Sequence, residues 1–434
     1  MSKKPGMLTH PDWSYPANIY EVNLRQYTPE GTFDAFSRHL PRLKDMGVKI
    51  LWFMPITPIS NLGRLGTLGS YYAVQNYTET NPEFGTISDF KNLVTQAHEQ
   101  GFKVLIDWVA NHSGNDHPWT VDHPEFYCYD SENQLHHPHG WSDVAQLNYE
   151  NPELRKMMIE SMMFWITECD IDGFRCDMAH LVPLDFWIQA KKELSICKEN
   201  LFWLAECEEP AYHEVFDATY TWRWMHASEE FYQGRMNLLA LLTVLYKSVT
   251  EFPCNGFRAY FTSNHDENSW NGTEYEKYGD AAQLMAVFSC TWNGIPMIYS
   301  GQEMPGKKRL KFFEKDPIDW DGKFELHEFY KTLLLLHSSN KCLRAGDPNV
   351  LTMIVSHPDD HQVFAFARSN DDDQVLVILN CSPGGINFQV KGVHGVFRNV
   401  FGVRDINFDL EDHVFVRPWG YLVFEKLPVL SAAL

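Results

Sequence analysis

The sequence predicts an α/β protein: a closed (β/α)8 barrel with a short inserted loop domain after its third strand, followed by a C-terminal antiparallel β-sandwich. Three observations lead there. Between about residues 18 and 340, short apolar runs alternate with helix-length segments, the pattern of parallel strands joined by helices. About forty residues rich in His, Asp, Pro and Trp then separate the third run from the helix that follows it, and a connection that long usually carries function. After about residue 343 the apolar pattern changes to period two.

Taken in order, the strand candidates are 19–24, 49–54, 103–108, 173–177, 201–206, 216–221, 258–264 and 296–300. Asn151 is placed to cap a helix, Pro152 suits its first turn, and Leu154, Met158, Met162, Trp165 and Ile166 share one face at helical spacing. That stripe reads as core. Residues 1–110 and 151–342 therefore form the barrel, 111–150 the inserted loop domain, and 343–434 the sandwich. In the last part, Val363–Phe366 and Val375–Leu379 flank a turn holding Asn370 and three Asp, while Val414–Val416 and Tyr421–Phe424 flank Pro418-Trp419-Gly420.

Composition narrows the partners. A formal net charge of -21 repels phosphate backbones and anionic lipid, so neither nucleic acid nor a membrane is expected, and a neutral ligand is. The chain carries 14 Trp and 19 Tyr, flat rings suited to stacking on sugar faces, although most such rings in any protein are core. Its nine cysteines lack C-x-x-C spacing, which fits a reducing compartment. Met1–Gly6 lacks the apolar stretch of a signal peptide, and no run reaches membrane-spanning length, so the expected location is the cytoplasm.

Several apolar runs end in a carboxylate. Asp177, Glu206 and Asp266 close three successive ones, and in a parallel barrel the C-terminal strand ends converge on one face, where active sites form. Alternation along a strand points Arg175 and Asp177 together into the barrel mouth and turns Cys176 toward the surrounding helices. A cation beside Asp177 predicts a lowered pKa and a nucleophile ionised at neutral pH. Glu206, with few cations evident near it, predicts a raised pKa suited to a general acid. Such a pair cleaves glycosides with retention at a separation of about 5–5.5 Å, or with inversion at about 6.5–9.5 Å. Glu208 and Glu209 compete with Glu206 but fall beyond the apolar run, and Asp107 reads as a strand-end organiser or a helix cap.

Asp107-Trp108-Val109-Ala110-Asn111-His112, Gly173-Phe174-Arg175-Cys176-Asp177, Ala205-Glu206 and Ser263-Asn264-His265-Asp266 stand in this order at strand ends, with Tyr71-Tyr72-Ala73-Val74-Gln75-Asn76-Tyr77 upstream. In that combination the chain resembles the α-amylase family of glycoside hydrolases over nearly its whole length. The resemblance implies Asp177 as nucleophile, Glu206 as acid/base and Asp266 as the group holding sugar hydroxyls in the distorted transition state. It implies substrate binding by Tyr72, His112, Arg175 and His265, with Tyr72 as a stacking floor. The implied activity is retaining hydrolysis of α-1,4-glucosidic bonds in malto-oligosaccharides or starch-like glucans. Its rivals are an exo-acting α-glucosidase, a transglycosylase and a non-catalytic glucan-binding protein.

Two departures from the family pattern bear on this. Val144-Ala145-Gln146-Leu147-Asn148 stands where many members carry Leu-Pro-Asp-Leu-Asn with a calcium-binding Asp, and Gln146 offers only a neutral oxygen. Asn111 is the one matching ligand position, so no metal and no cofactor is expected, calcium included. The Lys-His pair that follows the nucleophile in many endo-acting members is also missing.

Overall fold

The computed structural model describes residues 8–320, 322–357, 360–371 and 373–428. The N-terminal residues read for a leader lie outside these.

Eight parallel strands close into a barrel: β1 Ile19–Val22, β2 Ile50–Phe53, β3 Lys103–Trp108, β4 Gly173–Cys176, β5 Phe202–Ala205, β6 Ala218–Tyr220, β7 Phe257–Tyr260 and β8 Ile295–Tyr299. Each pairs with its neighbours in chain order, and β8 closes on β1. All eight fall within the sequence-predicted runs or a residue of them. Alternation divides the side chains between two cores. Ile19, Trp52, Leu105, Leu204, Ala259 and Met297 fill the barrel interior. Tyr20, Leu51, Val104, Phe174, Trp203 and Ile298 face the helices, as does Cys176.

One helix shows how the sequence sets its own limits. The Asn151 side chain accepts from the backbone N–H of Glu153 and Leu154 at 2.9 and 3.3 Å, Pro152 opens the first turn, and the helix runs Pro152–Cys169. Leu154, Met158, Met162, Trp165 and Ile166 are all buried.

The long segment after β3 folds over the C-terminal rim of the barrel. Its backbone is fixed by a two-stranded ribbon in which His112–Gly114 pairs antiparallel with Val144–Gln146.

Beyond the barrel lies a six-stranded antiparallel sheet, in the order Leu351–Ile354, Val363–Asn370, Asp373–Asn380, Tyr421–Lys426, Val396–Asn399, Asp405–Asn407. A ribbon of Ile386–Gln389 and His413–Val416 covers one face, burying Phe388, Val414 and Val416 against Ala365, Ile378 and Phe424. The strands on either side of Pro418-Trp419-Gly420 do not pair with each other: His413–Val416 belongs to the small ribbon and Tyr421–Lys426 to the large sheet. The turn carries the chain from one layer to the other, with Trp419 at φ 46°. Among the described residues no helix is long and apolar enough to cross a membrane.

Candidate active site

Register builds the centre. Across β3 and β4, Asp107 stands opposite Arg175, so the two side chains emerge on the same face of the sheet. Arg175 Nη1 donates to Asp107 Oδ1 at 2.8 Å and to Asp177 Oδ1 at 2.9 Å. Nη2 lies 2.8 Å from Glu206 Oε2, an ion pair without hydrogen-bond alignment. One guanidinium thus gathers three carboxyls from three adjacent strands. Trp52 lies under it at 4.9 Å, and Arg175 Nε donates to the Tyr220 hydroxyl at 3.3 Å. The backbone N–H of Met178, a residue held at φ 40°, donates to Glu206 Oε2 at 2.9 Å. Non-glycine residues in that region cluster where surrounding structure imposes the conformation for a purpose. Asp177 and Glu206 thus stand on the two terminal nitrogens of the same guanidinium.

Above this centre opens a cavity of about 370 Å³, lined by Asp177, Glu206 and Asp266 together with Tyr72, His112 and Trp141. All three predicted catalytic acids, and two of the four predicted binding residues, share its wall. Arg175 and His265 do not reach it. At 0% and 1% exposure they stand behind the wall, where each holds groups that line the cavity. His265 Nε2 lies 2.7 Å from the Tyr72 hydroxyl and 3.3 Å from Asp266 Oδ2. The rings of Tyr72 and His265 stack at 5.4 Å. Asp107 is likewise behind the wall, accepting from the Tyr72 hydroxyl at 3.1 Å, which fits its reading as an organiser.

Electrostatics separates the acids. Burial raises the Asp177 carboxyl to about 6 despite Arg175, and the Glu206 carboxyl to about 7. The expectations of a lowered Asp177 and of a Glu206 without a cation are both overturned. Desolvation outweighs the guanidinium at Asp177, and the guanidinium reaches Glu206 as well. Asp266 differs, its side chain being 38% exposed. Burial pushes it up, but the charge and hydrogen bond of His265 more than offset this and hold it below the usual aspartate value. Burial lowers His112 to about 4, so its ring is neutral. Its Nδ1 lies 3.1 Å from Asn111 Nδ2 and accepts from it, leaving Nε2–H as the donor.

The family model described as the alpha-amylase catalytic domain matches residues 13–139 and 125–326, well over half of the chain. The chain belongs to the alpha-amylase family. It is 26% identical over 394 residues to an alpha-amylase of Haloarcula japonica, covering 85% of this chain and 56% of that protein. The chain thus spans little more than half the length of that relative. Among solved structures it is similar to an alpha-amylase from Lactobacillus plantarum, with TM-score 0.86, 28% identity and coverage of 96% of this chain and 100% of that one. A maltogenic alpha-amylase from Thermotoga neapolitana matches with TM-score 0.87, 28% identity and the same coverages.

Within this family frame, sequence reasoning overlooked part of the wall. Leu65, Trp141, Met178, Phe312 and Phe313 line the same cavity from loops, and Trp270 from the single helical turn Glu267–Asn271, where no period marks them. It also overlooked Glu21, whose Oε1 accepts from His265 Nδ1. Here a signal existed: an acid inside the apolar strand Ile19-Tyr20-Glu21-Val22.

Proposed function

We propose that the protein is a retaining glycoside hydrolase that cleaves α-1,4-glucosidic bonds in malto-oligosaccharides or starch-like glucans. The observation that carries this is the pair Asp177 and Glu206, gathered on one guanidinium at the base of a partly aromatic cavity. Two carboxyls held by the two terminal nitrogens of one guanidinium stand close together, as the nucleophile and the acid of a retaining site do. A pair so close holds one proton between its members in the neutral range, the state the first step needs. Asp177, ionised, attacks the anomeric carbon while Glu206 gives its proton to the departing glycosidic oxygen, and a glycosyl ester forms on Asp177. Glu206 then takes a proton from water, whose oxygen replaces Asp177 at the same carbon. Asp266, ionised and on the cavity wall, is placed to hold sugar hydroxyls, and the His112 Nε2–H and the Tyr72 face supply a donor and a platform. The test is chromatography and early-time proton NMR of the products from maltoheptaose. Release of α-anomeric maltodextrins is expected, and β-anomers or no cleavage would overturn the reading.

One observation favours a second outcome at the same centre. The outer wall of the cavity is apolar, and Trp270 is 52% exposed there, a surface that stacks a sugar acceptor better than it orders water. Transglycosylation is then expected at high substrate concentration, seen as products longer than maltoheptaose.

We further propose that the enzyme works without calcium. Asn111 and Gln146 border one small cleft, where their neighbours are His136, His139, Pro138 and Leu181 rather than carboxylates. Asp116 is committed elsewhere, its Oδ2 accepting from the backbone of Asn61 and Leu62, and Asp143 lines the catalytic cavity. Dialysis against a strong chelator is expected to leave both rate and melting temperature unchanged. A melting point that drops and is restored by calcium would show a metal bound to the folded state. The nine free cysteines also support a reducing, cytoplasmic setting.

A further inference from the structure

We propose that Glu21 is a positioning residue for Asp266, acting through the imidazole of His265, so that the acid facing the Asp177–Glu206 pair is held from behind the barrel wall. The inference rests on the glycosidase reading of the site.

Hydrogen-bond logic carries it. The Tyr72 hydroxyl has one proton, and Asp107 Oδ2, a carboxylate oxygen, takes it at 3.1 Å. The Tyr72 oxygen is therefore an acceptor toward His265 Nε2 at 2.7 Å, and Nε2 bears a proton. On the other side of the ring, Nδ1 meets Glu21 Oε1, which also only accepts, so Nδ1 bears a proton too. With both nitrogens donating, His265 is an imidazolium. Its Nε2–H points to Tyr72, and its positive charge lies beside Asp266 Oδ2, 3.3 Å from Nε2.

Glu21 has no other evident task. It sits in β1 opposite Trp52 of β2 and Tyr299 of β8, its side chain is 0% exposed, and its Oε2 has no hydrogen-bond partner. A carboxylate in such a place is tolerated only against a matching charge, and His265 supplies it. The other groups facing the ring are accounted for. Trp52 presents an edge at 6.1 Å, Phe312 lies 6.3 Å away, Tyr72 stacks on it, and Asp107 and Arg175 stand behind Tyr72. The charge of His265 therefore rests on Glu21 and Asp266 together, and the chain Glu21–His265–Tyr72–Asp107–Arg175 ties Asp266 to the guanidinium that gathers the other two acids.

Glu21→Gln tests this, because the amide keeps an acceptor for Nδ1–H and removes the charge. With ring-labelled histidine, and His265 assigned through His265→Gln, the imidazole should titrate at least about one unit lower in Glu21→Gln than in the parent. In kinetics, kcat should fall about tenfold or more with KM changed less than about threefold, and the alkaline limb of kcat/KM should move to lower pH. Glu21→Asp, which keeps the charge, should recover part of kcat. An unmoved His265 titration would overturn the inference. So would equal losses in the Gln and Asp variants, with an unshifted pH profile and only a lower melting temperature, since that is a packing role. The titration needs no turnover. A parent inactive on every α-glucan would therefore sink the glycosidase reading while leaving the Glu21–His265 result to be judged separately.

Discussion

At the scale of single residues, the site sets desolvation against one shared cation. Asp177 and Glu206 are held above the ordinary carboxylate range, to about 6 and about 7, so the folded state binds their protons more tightly than the unfolded chain does. Their contribution to stability is therefore complete below about pH 4, declines as pH rises, and is lost once pH passes about 7. Asp177→Asn removes that titration while Arg175 keeps Asp107 and Glu206 as partners. The variant is expected to hydrolyse nothing measurable, yet to melt above the parent at pH 8, with a gain on the order of 1–3 kcal/mol that closes toward pH 4. Thermal melts across that range check it, and a variant less stable at every pH would contradict the burial argument. In the parent, the same shifts place the acid limb of the rate profile near 6 and the alkaline limb near 7, as macroscopic values of the pair. A rate flat from about pH 4 to 9 would exclude the two-carboxylate mechanism. The sequence revealed these three acids because each ends an apolar run at a strand terminus. It did not reveal their electrostatics, since strand phase tells which face Arg175 points to but not that its fork also meets Glu206 from the next strand.

Among the elements, β4 carries the most chemistry and begins at its least replaceable residue. Gly173 has φ 152°, and a Cβ built there would lie 1.9 Å from the Phe202 carbonyl oxygen of β5. No side-chain motion relieves a contact with backbone. Gly173→Ala must push β4 away from β5, displacing the strand that orients Arg175 and leads into Asp177. A loss above about 3 kcal/mol, or an insoluble product, is expected. A soluble variant melting with the parent by circular dichroism would show the pairing to be looser than the register implies. The barrel strands were legible because parallel strands buried on both sides read as short apolar runs, and helix Pro152–Cys169 because cap, first-turn proline and apolar stripe agree. The two strands around Pro418-Trp419-Gly420 were legible as strands, but not their partners, because a turn signal marks a reversal without naming what each strand pairs with. The pairings show the chain changing layers there, with a left-handed backbone at Trp419.

For the molecule as a whole, the C-terminal sheet is a structural wall of the barrel rather than an appendage. One of its faces packs on the small ribbon, and the other lies on the helix Ala282–Thr291 and on Trp292, where Phe364 and Phe366 meet the indole at 5.7 and 4.9 Å. This double burial explains why Val375–Leu379 is a continuous apolar run instead of a strict alternation. Phe288 and Trp292 carry about 150–250 Å² each. Uncovering even half of that area costs about 4–6 kcal/mol at ~25 cal/mol per Å², comparable to the ~5–15 kcal/mol that separates a domain from its unfolded state. A chain ended after residue 345 is therefore expected to aggregate and show no glucan cleavage, although every residue of the cavity wall is still present. Size-exclusion chromatography and far-ultraviolet circular dichroism of the truncated chain decide the matter. A monomer with native helical signal and parental kcat would mean that the barrel stands alone and that the sheet only rests against it.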